Sequence, residues 1–143
     1  MASKDILFRQ ALGRGYYLRH VFDTLVVRYL STVSRRHLAN REAQLALAAF
    51  DLVGNTITVR GQYEREQLAA VMNWLLSCRL VQGAALDIGA NIGNHSLCFA
   101  RHYARVLSFE PNPRTYQLLH LNTEGHSNIQ AYHCALSDTP GTA

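Results

Sequence analysis

A short apolar run, Ala84 to Ile88, is followed at once by Gly89-Ala90-Asn91-Ile92-Gly93-Asn94-His95-Ser96 and then by Leu97 to Tyr103, which can wind as a helix. The run reads as a buried strand, so the order is strand, glycine turn, helix start. Few folds accommodate that order. Glycines at 89 and 93 let the backbone turn sharply and approach a ligand closely, because no Cβ stands in the way. A helix beginning near Gly93 turns unpaired N–H groups and the positive end of its dipole toward the turn, a place that favours an anionic group.

The residue order narrows the ligand. A dinucleotide fold expects G-x-G-x-x-G with a pyrophosphate on the helix N-terminus. Here the spacing is Asp87-x-Gly89-x-Asn91-x-Gly93, with a carboxylate ahead of the first glycine. That carboxylate repels a pyrophosphate but suits a ligand carrying both an ammonium and a carboxylate, as S-adenosylmethionine does. Downstream, Val106 to Phe109 form a second apolar strand that ends at Glu110. An acid at that place can accept hydrogen bonds from two ribose hydroxyls. Asn112 then reads as an N-cap with Pro113 at the first helical position. The plainer alternative is that Asp87 caps a turn and Glu110 is an ordinary solvated acid.

From Ala84 onward the pattern is strand, helix, strand, helix, strand. The second helix holds Tyr116, Leu118, Leu119 and Leu121, Gly125 ends it, and Ile129 to Leu136 supply the third strand. Ser137-Asp138-Thr139-Pro140-Gly141 is turn chemistry. Such alternation builds a parallel sheet with right-handed crossovers.

The first 62 residues carry no comparable motif. Leu18, Val21, Phe22, Leu25, Val26, Tyr29, Leu30 and Val33 recur at spacings of three and four, a helical stripe, with Gly13 and Gly15 separating it from a weaker helical pattern at Ile6 to Leu12. A further helix is expected over 41–49. The runs 50–53 and 56–59 flank Gly54-Asn55 and predict a small β-hairpin. A helix over 64–80 presents Leu68, Val71, Met72, Leu75 and Leu76 on one face.

The net charge of +4 is uneven: residues 1 to 60 hold nine Lys/Arg against four Asp/Glu, and residues 61 to 143 hold five against six. No nucleic-acid motif accompanies the basic half, so no nucleic-acid partner is expected. A basic amphipathic helix can lie on an anionic membrane surface, but a solvated helix face is the commoner use of such charges and peripheral membrane contact is the lesser expectation. The three cysteines, Cys78, Cys98 and Cys134, form no C-x-x-C pair, and none of the histidines shows metal-ligand spacing. Buried reduced thiols, no metal and a cytoplasmic setting are the expectations, with neither a spanning apolar run nor a signal core.

The chain from about Tyr63 to Ala143 resembles the N-terminal part of FkbM-type methyltransferases, a branch of the class I S-adenosylmethionine-dependent enzymes. The resemblance rests on Tyr63-Glu64, on Leu86 through Gly93, on Ser108-Phe109-Glu110-Pro111-Asn112-Pro113, and on Ala135-Leu136-Ser137-Asp138 followed by Gly141. It implies an α/β, Rossmann-like parallel sheet with helices on both faces, and methyl transfer to a hydroxyl of a sugar or other small metabolite. It also implies roles. Gly89, Asn91, Gly93 and the adjoining Asn94 would hold the methionine end of the cofactor, with Asp87 recognising its amino group. Glu110 would bind the ribose, and Ala135, Leu136 or Asp138 would border the adenine. Tyr63 and Glu64 would wall the pocket.

The family continues through further strands, whereas this sheet is expected to stop after its third. The expectation is therefore a helical segment over 1–62, then the first half of a methyltransferase domain over 63–143. Such a chain would be a fragment with an exposed apolar edge and not a competent enzyme alone. The rival readings are a nicotinamide-dependent oxidoreductase, which would share the fold and the ribose acid, and a non-catalytic binding or assembly module. No catalytic base can be assigned.

Overall fold

The computed structural model describes residues 2–40, 43–139 and 141, with side chains from residue 15 onward. The chain divides into two compact units, Met1–Glu42 and Ala43–Ala143. Residues 43–62, expected to belong with the N-terminal segment, fall in the second unit.

The first unit is one helix, α1 (Ala2–Ala39). The glycines at 13 and 15 do not divide it. A glycine inside a helix costs roughly 1 kcal/mol relative to alanine but removes no hydrogen bond, so with no proline nearby the helix runs through. Thr24, Ser31 and Thr32 turn their hydroxyls back onto the carbonyls of His20, Val27 and Arg28, four residues earlier.

The second unit corrects two expectations. Residues 43–49 are not helical, and the other two of the helix expected over 41–49, Arg41 and Glu42, lie outside the described residues. The predicted hairpin is instead a helix, α2 (Leu52–Arg60). Asp51 caps it by accepting the Gly54 N–H at 3.2 Å, and Gly61, left-handed at φ 81°, closes it with an N–H bond to the Ile57 carbonyl. Gly54 is no turn residue here. A Cβ at that position would come within 2.9 Å of the Ala48 carbonyl oxygen. Thr56 and Thr58, which suggested a strand, bond back to the Leu52 and Gly54 carbonyls. Next comes α3 (Arg65–Ser77), which buries Leu68 and Met72.

The sheet matches the expected alternation. It runs β1 (Ala84–Ile88), α4 (Asn94–Phe99), β2 (Arg105–Phe109), α5 (Pro113–Thr123) and β3 (Ile129–Tyr132), with parallel strands in the order β1-β2-β3. It is a Rossmann-like α/β unit. Two elements are shorter than the apolar runs suggest: β3 stops at Tyr132, not Leu136, and α4 stops at Phe99. Asn112 caps α5 through bonds from the Arg114 and Thr115 amides, with Pro113 in its first turn as expected.

Period-two alternation assigns the two sheet faces. Asp87, Val106 and Ser108 share the buried face, where α4 packs on β1 and β2. Leu86 and Ile88 share the opposite face and are 57% and 62% exposed. β1 is an edge strand, as expected for a sheet of three strands in this order.

Candidate active site

The turn after β1 is built from left-handed residues: Gly89 at φ 76°, Asn91 at φ 50° and Gly93 at φ 93°. The two glycines serve different ends. A Cβ on Gly89 would meet nothing within 4 Å, so the space over that residue is open to a ligand. A Cβ on Gly93 would stand 3.0 Å from Leu119 Cδ1 and 3.2 Å from Thr123 Cγ2, so Gly93 lets α5 pack against the turn.

Four amides of the turn are occupied. Gly89 and Ala90 both donate to the Phe109 carbonyl at 2.9 Å, Gly93 donates to the Ala90 carbonyl, and Asn91 donates to Glu110 Oε2 at 3.0 Å. The cause is that β2 ends beside the turn, and its last carbonyl and the following carboxylate take up the donors. The expected unpaired N–H groups are left to the start of α4, where Gly93 supplies no side-chain cap.

Glu110 is 8% exposed and accepts from Asn112 N through its other oxygen, at 2.9 Å. Its carboxylate thus ties the glycine turn to the start of α5. A carboxylate offers about four lone-pair sites, so each oxygen retains one for a ligand hydroxyl. The ordinary solvated acid of the plainer reading is not what the structure contains.

Asp87 is 6% exposed at the base of the turn. Its Oδ2 accepts from the Ser96 hydroxyl at 2.6 Å, and the Ser96 oxygen accepts in turn from the Ser108 hydroxyl at 2.8 Å. Neither serine stands out in the sequence. Their signal is positional: Ser96 is nine residues past Asp87, in the first turns of α4, and Ser108 is paired with Asp87 in the strand register.

Asn94 is engaged elsewhere than a cofactor contact through its side chain would require. Its amide oxygen accepts from Tyr63 N at 3.1 Å and its amide nitrogen donates to Tyr63 O at 2.9 Å, a two-point clamp on the Tyr63 backbone. The clamp brings Tyr63 and Glu64 beside the start of α4. Glu64 is left-handed at φ 52°, and its Oε2 lies 3.2 Å from His95 Nε2 without the alignment of a hydrogen bond. A second clamp escaped sequence reading: Asn122 on α5 receives Ala46 N at its oxygen and donates from its nitrogen to the carbonyls of Ala46 and Ile92.

Ala135 and Asp138 are exposed, and the Asp138 carboxylate accepts from Ser137. Just before them His133 stacks on Tyr116 at 4.8 Å and its Nε2 lies 3.1 Å from the Pro111 carbonyl, so the chain leaving β3 runs beside the segment that follows Glu110.

The cysteines are free. Cys78 and Cys134 are exposed, contrary to the expectation of buried thiols. Cys98 is partly buried; desolvation pushes its thiol up, against smaller opposing effects of Arg101 and a Gln62 hydrogen bond. Among the described residues no His/Cys/Asp/Glu cluster could hold a metal, and no helix is long and apolar enough to cross a membrane.

No known protein family's sequence profile matches the chain, and no curated protein matches it either. Solved structures do. The 23S rRNA methyltransferase ErmE is similar over 55% of this chain and 32% of its own length, at 22% identity and a TM-score of 0.45. CalS10, an amino pentose methyltransferase from Micromonospora echinaspora described with bound SAM, is similar over 62% and 36%, at 19% identity and a TM-score of 0.45. The chain spans about a third of the length of either. At that distance neither likeness carries weight for function.

Proposed function

We propose that the turn from Asp87 to Gly93, with Glu110, binds S-adenosylmethionine, and that the chain is part of a methyltransferase acting on a hydroxyl of a sugar or other small metabolite. The observation that carries this reading is the pair of buried carboxylates, Asp87 and Glu110, at the glycine turn. With the amides of Gly89, Ala90, Asn91 and Gly93 already bonded, the turn offers a ligand the open backbone at Gly89, the Asp87 carboxylate beneath it and the outer lone pairs of Glu110, beside the uncapped start of α4. Those groups suit an ammonium and a ribose diol better than a phosphate.

The chemistry of these residues fits the cofactor. Asp87 accepts from the amino group of the methionine end, Gly89 allows close approach, and Glu110 accepts from the ribose hydroxyls while still holding the turn. Ala135, Leu136 and Asp138 border the adenine. When bound, the cofactor supplies an electrophilic methyl group. The protein's contribution is then to place an acceptor hydroxyl in line with it, a matter of orientation, and to offer a base.

Isothermal titration of the chain with S-adenosylhomocysteine and with NADH tests the reading. Saturable binding of the first and none of the second is expected, with Asp87→Asn weakening it by about tenfold, the worth of one charge-assisted hydrogen bond. Binding of NADH without S-adenosylhomocysteine would overturn it in favour of an oxidoreductase.

A further inference from the structure

We infer that Ser96 and Ser108 are positioning residues for recognition of the amino-acid end of the ligand, acting through Asp87; the inference rests on the binding reading above. The three side chains form a directed chain of hydrogen bonds, Ser108 Oγ to Ser96 Oγ to Asp87 Oδ2, at 2.8 and 2.6 Å. Both serines are fully buried. They come from three different elements, since Asp87 lies on β1, Ser96 on α4 and Ser108 on β2.

A hydroxyl that donates to a carboxylate makes a short, strong bond and fixes the rotation of the acceptor. The Ser96 proton is aimed at Oδ2 because its own oxygen is occupied by the Ser108 proton, so the second serine sets the polarity of the first. Among the described residues nothing donates to Oδ1. The chain therefore holds one oxygen of Asp87 in the interior and leaves the other as the acceptor for a ligand ammonium. Without Ser96 the carboxylate could turn about its χ angles, and a ligand would have to order it on binding.

This role separates from a general part in stability by its ligand dependence. 5′-Methylthioadenosine keeps the adenosine and the sulfur of S-adenosylhomocysteine but lacks the amino-acid end, so it meets Glu110 and not Asp87. Isothermal titration of the full chain with both compounds is the test. Ser96→Ala is expected to weaken S-adenosylhomocysteine by about tenfold, as for loss of a bond to a charged group, and to leave 5′-methylthioadenosine unchanged. Ser108→Ala should act in the same direction but less strongly, and Ser96→Thr, which keeps the hydroxyl, should restore affinity. Equal losses for both ligands, or no loss for either, would overturn the inference while leaving the binding reading intact. If the unaltered chain binds neither compound, the binding reading falls and the inference with it.

Discussion

Gly89 and Gly93 look alike in the sequence and occupy similar backbone conformations, yet a methyl group has different consequences at each. At Gly89 only the left-handed conformation resists it, a penalty of about 1 to 2 kcal/mol. At Gly93 the methyl also presses on Leu119, which is fully buried, and on Thr123, so Gly93→Ala is expected to cost about 2 to 4 kcal/mol. Urea denaturation of the two variants checks the order, and equal losses would refute it. Cys98 supplies a second case. Its raised pKa and partial burial disfavour the reactive thiolate, whereas Cys78 and Cys134 are exposed, so iodoacetamide should label those two first. Labelling of Cys98 should quicken as the pH climbs toward its displaced value. Mass spectrometry of timed samples reads both effects.

At the scale of elements, α2 is decided by its ends. The β-branched residues of 56–59 favour a strand by propensity, but Asp51 caps, Gly61 closes, and Ile57 is buried. Asp51→Ala should lower stability by about 1 kcal/mol, the usual worth of an N-cap, measured by thermal unfolding followed by circular dichroism. An unaffected variant would argue for the hairpin. The cap was legible in the sequence, since Asp51 precedes an apolar run that Gly61 ends. The β-branched pattern and the Gly-Asn pair drew the reading the other way. Element length is the other point of difference. The apolar runs extend past β3 and α4, because apolar character marks burial and not the point where backbone pairing stops.

For the whole molecule the chief feature is the sheet's open side. Leu86 and Ile88 are exposed on a strand that sits at the edge, with no lysine or proline in Ala84–Ile88 to discourage pairing. Unblunted edges of this kind associate. Sedimentation of the chain is expected to show mass increasing with concentration, and Leu86→Lys with Ile88→Lys should shift it toward the monomer. A chain that stays monomeric throughout the range would contradict this.

The sequence alone determined the order of strands and helices from Ala84 onward, the glycine turn and the positions of its two acids, because each depends on local periodicity or on a residue's own backbone freedom. Only the tertiary structure decided what those acids touch. It set Glu110 against the Asn91 and Asn112 amides, joined Asp87 to Ser96 and Ser108, and committed Asn94 to Tyr63 and Asn122 to Ala46 and Ile92. The physical reason is that a side chain's hydrogen-bond partners are fixed by which elements pack together, and residues 31 or 76 positions apart carry no local pattern that records their meeting.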